Sequence, residues 1–165
     1  MKLLIKEITL MTLLLYAGAG FGSEEKVKAP KAPLKSLSGD ATFAGDTSKS
    51  DVTVIQFWAS WCTGCAVIMT QMTELLATKP QTGYVTISLD ETSETAMKYF
   101  ANKPVAAKDV LKRSFLDASG QSFAELNSVD SLPYLLIVSK DGKIIKRVKG
   151  HPTKADLALL TKKGA

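Results

Sequence analysis

The stretch Val52–Trp58, VTVIQFW, is apolar or β-branched at every position but Gln56. A strand of that kind must be covered on both faces, which happens in the interior of sheets flanked by helices. The residues after it point the same way. Cys65, Ile68, Met69, Met72 and Leu76 recur at helical spacing, a stripe that Pro80 and Gly83 terminate. Val85, Ile87 and Leu89 then alternate with Thr86 and Ser88, and Ala96, Met97 and Phe100 restore helical spacing across Thr92–Ala101. Strands joined by a helical crossover are parallel neighbours with a right-handed connection. The pattern predicts an α/β fold with a central mixed sheet.

The second half is built differently. Tyr134–Val138, YLLIV, reads as another buried strand, and KDGK at Lys140–Lys143 is an Asp-Gly hairpin signal leading into a strand over Lys143–Val148. Here the sheet turns antiparallel. Thr153 and Asp156 form a capping box, and Leu157, Leu159 and Leu160 give the last helix an apolar side. Between the halves a short helix is expected near Asp109–Arg113, a brief strand at Phe115–Leu116 and a turn at Ala118-Ser119-Gly120. With 165 residues, 45% of them hydrophobic, the chain can bury the core of one domain without disulfide staples.

The amino terminus has the pattern of an export signal. Lys2 and Lys6 precede the apolar run Ile8–Tyr16, and Ala17-Gly18-Ala19 supplies small residues at a cleavage position. An uncleaved membrane anchor is the second reading, although the run is shorter than the roughly 20 residues a spanning helix needs. The expected organisation is a signal peptide over residues 1–19, a flexible Lys/Ala/Pro-rich linker over 20–33 and a globular domain over 34–165. Export by a cleaved signal implies a location outside the cytoplasm. The net charge of +5 is mild and its lysines are scattered without interleaved aromatics, so no nucleic-acid partner is expected.

Both cysteines lie in FWASWCTGC, Phe57–Cys65, where the central strand gives way to a helix. A bridge between Cys62 and Cys65 would close a very short loop and constrain the unfolded chain little, so it makes a poor structural crosslink. It makes a good exchangeable one. Helix N-terminal amides favour a thiolate at the first cysteine, while the second lies one turn in on the apolar stripe. Cys62 is therefore the expected attacking thiol and Cys65 the resolving one. A C-x-x-C can also be half of a zinc site, but no second cysteine pair exists and the sole histidine, His151, is distant in sequence. A copper(I)-binding chaperone using Cys62, Cys65 and His151 remains as an alternative from another class. His151, just after a strand, is expected to cap a turn; facing the cysteines is the other reading. Met69 and Met72 lie at core spacing.

FWASWCTGC resembles the active-site segment of the thioredoxin superfamily, and Phe115–Gly150 is similar to the second half of its TlpA-like or DsbE-like, cytochrome-maturation-type members. The resemblance implies a thioredoxin-like fold, a βαβ unit followed by a β-hairpin and a carboxy-terminal helix. It implies a thiol-disulfide oxidoreductase that needs no cofactor or metal. It also implies a cis-proline at Pro133 beside the disulfide, backbone contacts from Leu132 to an extended substrate, and Trp61 as a wall beside the thiols. The chain departs from the family in two acids. A buried Asp is usual where this sequence has Gln56, and a Glu where it has Ile68; Gln56 cannot titrate and cannot deprotonate Cys65. The family's usual helix proline is also absent at Thr70, and Thr63-Gly64 replaces the commoner dipeptides with proline.

The expected activity is reduction of specific partner disulfides by a monomer. Its partners would be protein thiols and disulfides, namely a membrane electron donor and one or a few exported clients. A thiol oxidase or disulfide isomerase is the alternative within the same chemistry.

Overall fold

A computed structural model of the chain describes residues 25–28, 32–101, 109–125 and 130–161. The expected signal peptide lies outside the described residues.

A seven-stranded mixed sheet organises these residues. In chain order the elements are β1 (Leu34–Ser36), β2 (Thr42–Phe43), β3 (Val52–Trp58), α1 (Thr63–Leu76), β4 (Thr82–Ser88), α2 (Ser93–Ala101), β5 (Ser114–Leu116), α3 (Gln121–Ala124), β6 (Tyr134–Ser139), β7 (Ile144–Lys149) and α4 (Lys154–Ala158), followed by a 3₁₀ turn over Leu159–Thr161. Across the sheet the order is β2-β1-β5-β4-β3-β6-β7. Strands β3, β4 and β5 are parallel, and β6 runs antiparallel to β3, with Phe57 opposite Tyr134.

The burial of β3 explains its composition, since all seven of its residues are buried. Val52, Val54 and Trp58 pack on one face with the α1 stripe and with Ala96 and Phe100 of α2. Ile55 and Phe57 point the other way, into a cluster with Leu34, Phe43, Ile87, Leu136 and Val138. Both crossovers place their helices on the first face, as right-handed connections in one direction require. Leu34 of β1 and Phe43 of β2 add side chains to the second-face cluster, and Phe123 of α3 packs on it, meeting Phe57 at 5.2 Å between ring centroids.

Helix α1 ends at Leu76, before Pro80, and Gly83 belongs to β4 rather than to a helix stop. Its lack of a side chain has a different cause. A Cβ there would come within 2.8 Å of both Ser50 Oγ and Thr53 Oγ1, so the close approach of β3 and β4 requires glycine.

Part of the stretch read as a linker is docked. The Val27 amide donates to Gly142 O at 2.8 Å and the Ile144 amide to Glu25 O at 2.9 Å, pairing this segment with the β6–β7 hairpin. Val27 packs on the second core cluster, and Glu25 pairs with Arg147. The apolar side chain and the two backbone bonds account for the docking. Among the described residues no helix is long and apolar enough to cross a membrane.

Candidate active site

Residues 59–65 turn the chain from the end of β3 into α1. The turn is held from two sides. The Cys62 amide donates to Ala59 O at 3.0 Å, and the buried carboxylate of Asp90, just past the end of β4, accepts from the Ser60 amide at 3.1 Å and from Ser60 Oγ at 2.7 Å. Ser88 Oγ donates to the same carboxylate at 2.8 Å. Because β3 and β4 are parallel, their carboxyl ends lie side by side, which brings Asp90 to Ser60.

Cys62 is the N-cap residue of α1, in extended conformation, and its side chain makes no capping hydrogen bond. The amides of Thr63 and Gly64, the first two of the helix, have no acceptor within it. The first turn also carries no acidic residue. The local field therefore favours negative charge at the Cys62 sulfur. Cys62 and Cys65 form a disulfide, with Cα atoms 5.5 Å apart. Both cysteines are buried, but Cys62 keeps 6% of its surface exposed and Cys65 none, so a partner can reach only the first without the fold opening.

Beneath Cys65 lies a polar pair inside the core. Gln56 Nε2 donates to Cys65 O at 3.2 Å, and Tyr84 hydroxyl donates to Gln56 Oε1 at 2.6 Å. Gln56 thus satisfies the backbone of the second cysteine and has its own oxygen satisfied from β4. Burial pushes the Tyr84 hydroxyl far above the ordinary tyrosine range, so it stays a neutral donor. Ile68, at the other position where the resembled family carries an acid, is completely buried among apolar side chains.

The Leu132–Pro133 peptide bond is cis. Leu132 packs against both core clusters, and Pro133 O accepts from the Gly150 amide at 2.8 Å. The Pro133 ring comes up to the cysteine turn: a Cβ on Gly64 would sit 3.7 Å from Pro133 Cδ and 3.6 Å from His151 Cε1. His151 was expected as a turn cap; its ring lies against Gly64 instead, while Thr153 provides the N-cap of α4. The short connection from β7 through Gly150 carries it there. Trp61 is 70% exposed, whereas Trp58 is fully buried between Tyr99 and Phe100, with ring centroids 5.0 and 5.2 Å away.

The structure thus brings together Cys62, Cys65, Pro133 and His151 around one turn, with Trp61 beside it in the chain. Cys62 and Cys65, the two thiols of the copper(I) alternative, are joined as a disulfide. Two contributions escaped the sequence reading. The sequence reading singled out neither Tyr84 nor Asp90. Only the strand register, which sets β3 beside β4, identifies their partners.

Comparison with known proteins agrees with this geometry. A family model described as thioredoxin-like matches residues 50–144. The thiol-disulfide oxidoreductase ResA of Bacillus cereus is 31% identical over 173 residues, an alignment covering 98% of this chain and 96% of that protein. Among solved structures, a Chlorobium tepidum protein assigned as the thiol:disulfide interchange protein DsbE is 28% identical with a TM-score of 0.62, covering 83% of this chain and 94% of that one. DsbF of Mycobacterium tuberculosis, at 21% identity and a TM-score of 0.63 over 79% of this chain and 96% of its own, shares the fold. The sheet order, the disulfide at the β3–α1 junction and these matches together establish that the chain belongs to the thioredoxin-like family.

Proposed function

We propose that the protein is a thiol-disulfide oxidoreductase that reduces disulfides of specific exported partners. The observation that carries this reading is the asymmetry of the cysteine pair, with Cys62 at an uncapped helix N-terminus and Cys65 buried behind it. In the reduced protein, the Cys62 thiolate attacks a partner disulfide. One partner sulfur leaves as a thiol after taking a proton, and a mixed disulfide remains on Cys62. Cys65 then loses its proton and attacks Cys62, the partner's second sulfur departs, and the disulfide seen here is restored. Two electrons pass to the partner, so turnover needs a reduced thiol donor; a membrane thiol carrier suits a protein exported by the amino-terminal signal.

Pro133 and Leu132 form the proposed substrate edge. The packing of Pro133 on the cysteine turn supports that role, and the exposure of Trp61 supports its place as a wall of the same groove. The names of ResA and DsbE support the reaction class.

The test is trapping. Cys65→Ser should accumulate a mixed disulfide on Cys62 with its partner, resolvable by added dithiothreitol, and Cys62→Ser should capture nothing. In the reduced wild type, iodoacetamide should label Cys62 first. Preferential labelling of Cys65 would reverse the two roles.

A further inference from the structure

The exchange moves protons as well as electrons, yet the site holds few groups able to carry one. Gln56 cannot titrate, and Ile68 occupies the other position where the resembled family has an acid. The Asp90 carboxylate is committed to three donors from Ser60 and Ser88. Among the described residues, one further titratable side chain lies against the cysteine turn. His151, the sole histidine of the chain, is exposed and lies against Gly64 beside Pro133.

We propose that His151 is the proton donor to the partner sulfur that leaves when the mixed disulfide on Cys62 resolves. The inference deepens the exchange reading above and rests on it. A partner strand laid along Pro133 would bring its sulfur to Cys62, two residues before the Gly64 that both the proline ring and the imidazole approach. In the step, the Cys65 thiol releases its proton to water and its sulfur bonds to Cys62. The bond between Cys62 and the partner sulfur breaks, and that sulfur takes the proton from the His151 imidazolium, which regains one from water. A Cβ at position 64 would stand in ordinary contact with both the imidazole and Pro133, so these two groups share one side of the turn.

Charged groups on the surrounding elements leave the role to His151. Helix α1 brings the two cysteines and no acid in its first turn. The segment before Pro133 brings Asp130, which Lys149 of β7 holds at 3.1 Å. The turn carrying His151 leads into Lys154 and into Asp156, whose carboxylate is bound by the Thr153 amide and hydroxyl.

The experiment uses the full chain and glutathione disulfide as the probe. Reduced wild type, His151→Gln and His151→Ala are mixed with it, quenched in acid, and the Cys62–glutathione adduct and the final disulfide are counted by mass across the neutral pH range. Positioned acid catalysis is worth about 10²-fold or more, so both variants should resolve the adduct about 10² slower at the acidic end. A general acid acts only in its protonated form, so the wild-type advantage should shrink as pH rises. Adduct formation and the equilibrium constant with glutathione should stay within about twofold, because a donor to the leaving group changes a rate. Equal resolution rates overturn the proposal, and so does a rate ratio that does not vary with pH. If no adduct forms even on Cys65→Ser, the exchange reading falls and takes the proposal with it.

Discussion

The side-chain amide of Gln56 donates to the carbonyl oxygen of Cys65 at 3.2 Å inside a fully buried layer. A glutamine there supplies both a donor and an acceptor, and the acceptor is used by Tyr84 at 2.6 Å. Gln56→Leu leaves the buried Tyr84 hydroxyl without its acceptor and takes a second donor from the Cys65 carbonyl, which keeps its place in the ladder of α1. At about 1–3 kcal/mol for an orphaned buried group, urea unfolding should show a loss of that order. Tyr84→Phe removes a single bond and should cost less, about 1 kcal/mol, and the double variant should be less damaging than the sum because the two share an interaction.

Alkaline stability follows from the same pair. Burial raises Tyr84 and also Tyr99 above the ordinary tyrosine value. In the unfolded chain these phenols ionise near about pH 10, whereas in the fold they stay protonated. Below that pH their contribution is complete; above it the unfolded state holds fewer protons, and stability falls as pH rises toward the folded values. Urea midpoints measured from pH 8 upward should drop beyond about pH 10, and Tyr84→Phe should flatten the drop.

Asp90 provides a second positional test. Its carboxylate faces three donors at the start of the cysteine turn, so Asp90→Asn turns one acceptor into a donor pointing at donors. Hydrogen bonds to a charged group are worth about 1.5–3 kcal/mol, and a loss of that order is expected in urea unfolding. Iodoacetamide labelling of reduced Cys62 should also slow or lose its selectivity, since the turn is no longer pinned to β4.

Direction of reaction can be read from a potential. Between α2 and β6 the described residues form short elements, a helical turn at 109–111, β5 and α3, and the 32 residues of this connection are too few for an inserted helical domain. Such a bare fold suits a reductant of few partners. The potential should lie well below the roughly −120 mV of a strong oxidant, measured by equilibration with glutathione buffers and alkylation of the two redox forms. A value above about −150 mV would reassign the protein to thiol oxidation.

Much of this architecture was legible beforehand, for reasons visible in particular residues. Val52–Trp58 announced a central strand because burial on both faces leaves no polar period, and the stripe from Cys65 to Leu76 announced α1 because one helix face meets β3. Thr153 and Asp156 fulfil the capping-box pattern, with the Asp156 amide bonding to Thr153 Oγ1 at 3.2 Å. The short strands β1 and β2 were not legible, since three and two residues are too few to show a period. Strand β4 begins at Thr82, earlier than the alternation at Val85, because its first residues are only half-buried beside Val52 and Thr53 of β3. The contacts of Gln56, Asp90 and His151 come from long-range register, which a local pattern does not carry.

The pairing of Glu25 to Val27 with the hairpin also bears on how copies of the molecule meet. Strand β7 closes the sheet on one side, and an outer strand offers a row of amides and carbonyls on which another chain can add. At the hairpin end those groups are already taken, Gly142 O by Val27 and the Ile144 amide by Glu25. Farther along, the strand carries the exposed side chains of Lys146 and Lys149, which lie near Asp156 and Asp130. The amino-terminal segment thereby acts as a guard against strand addition between molecules, and removing it would expose a template for self-association at high concentration.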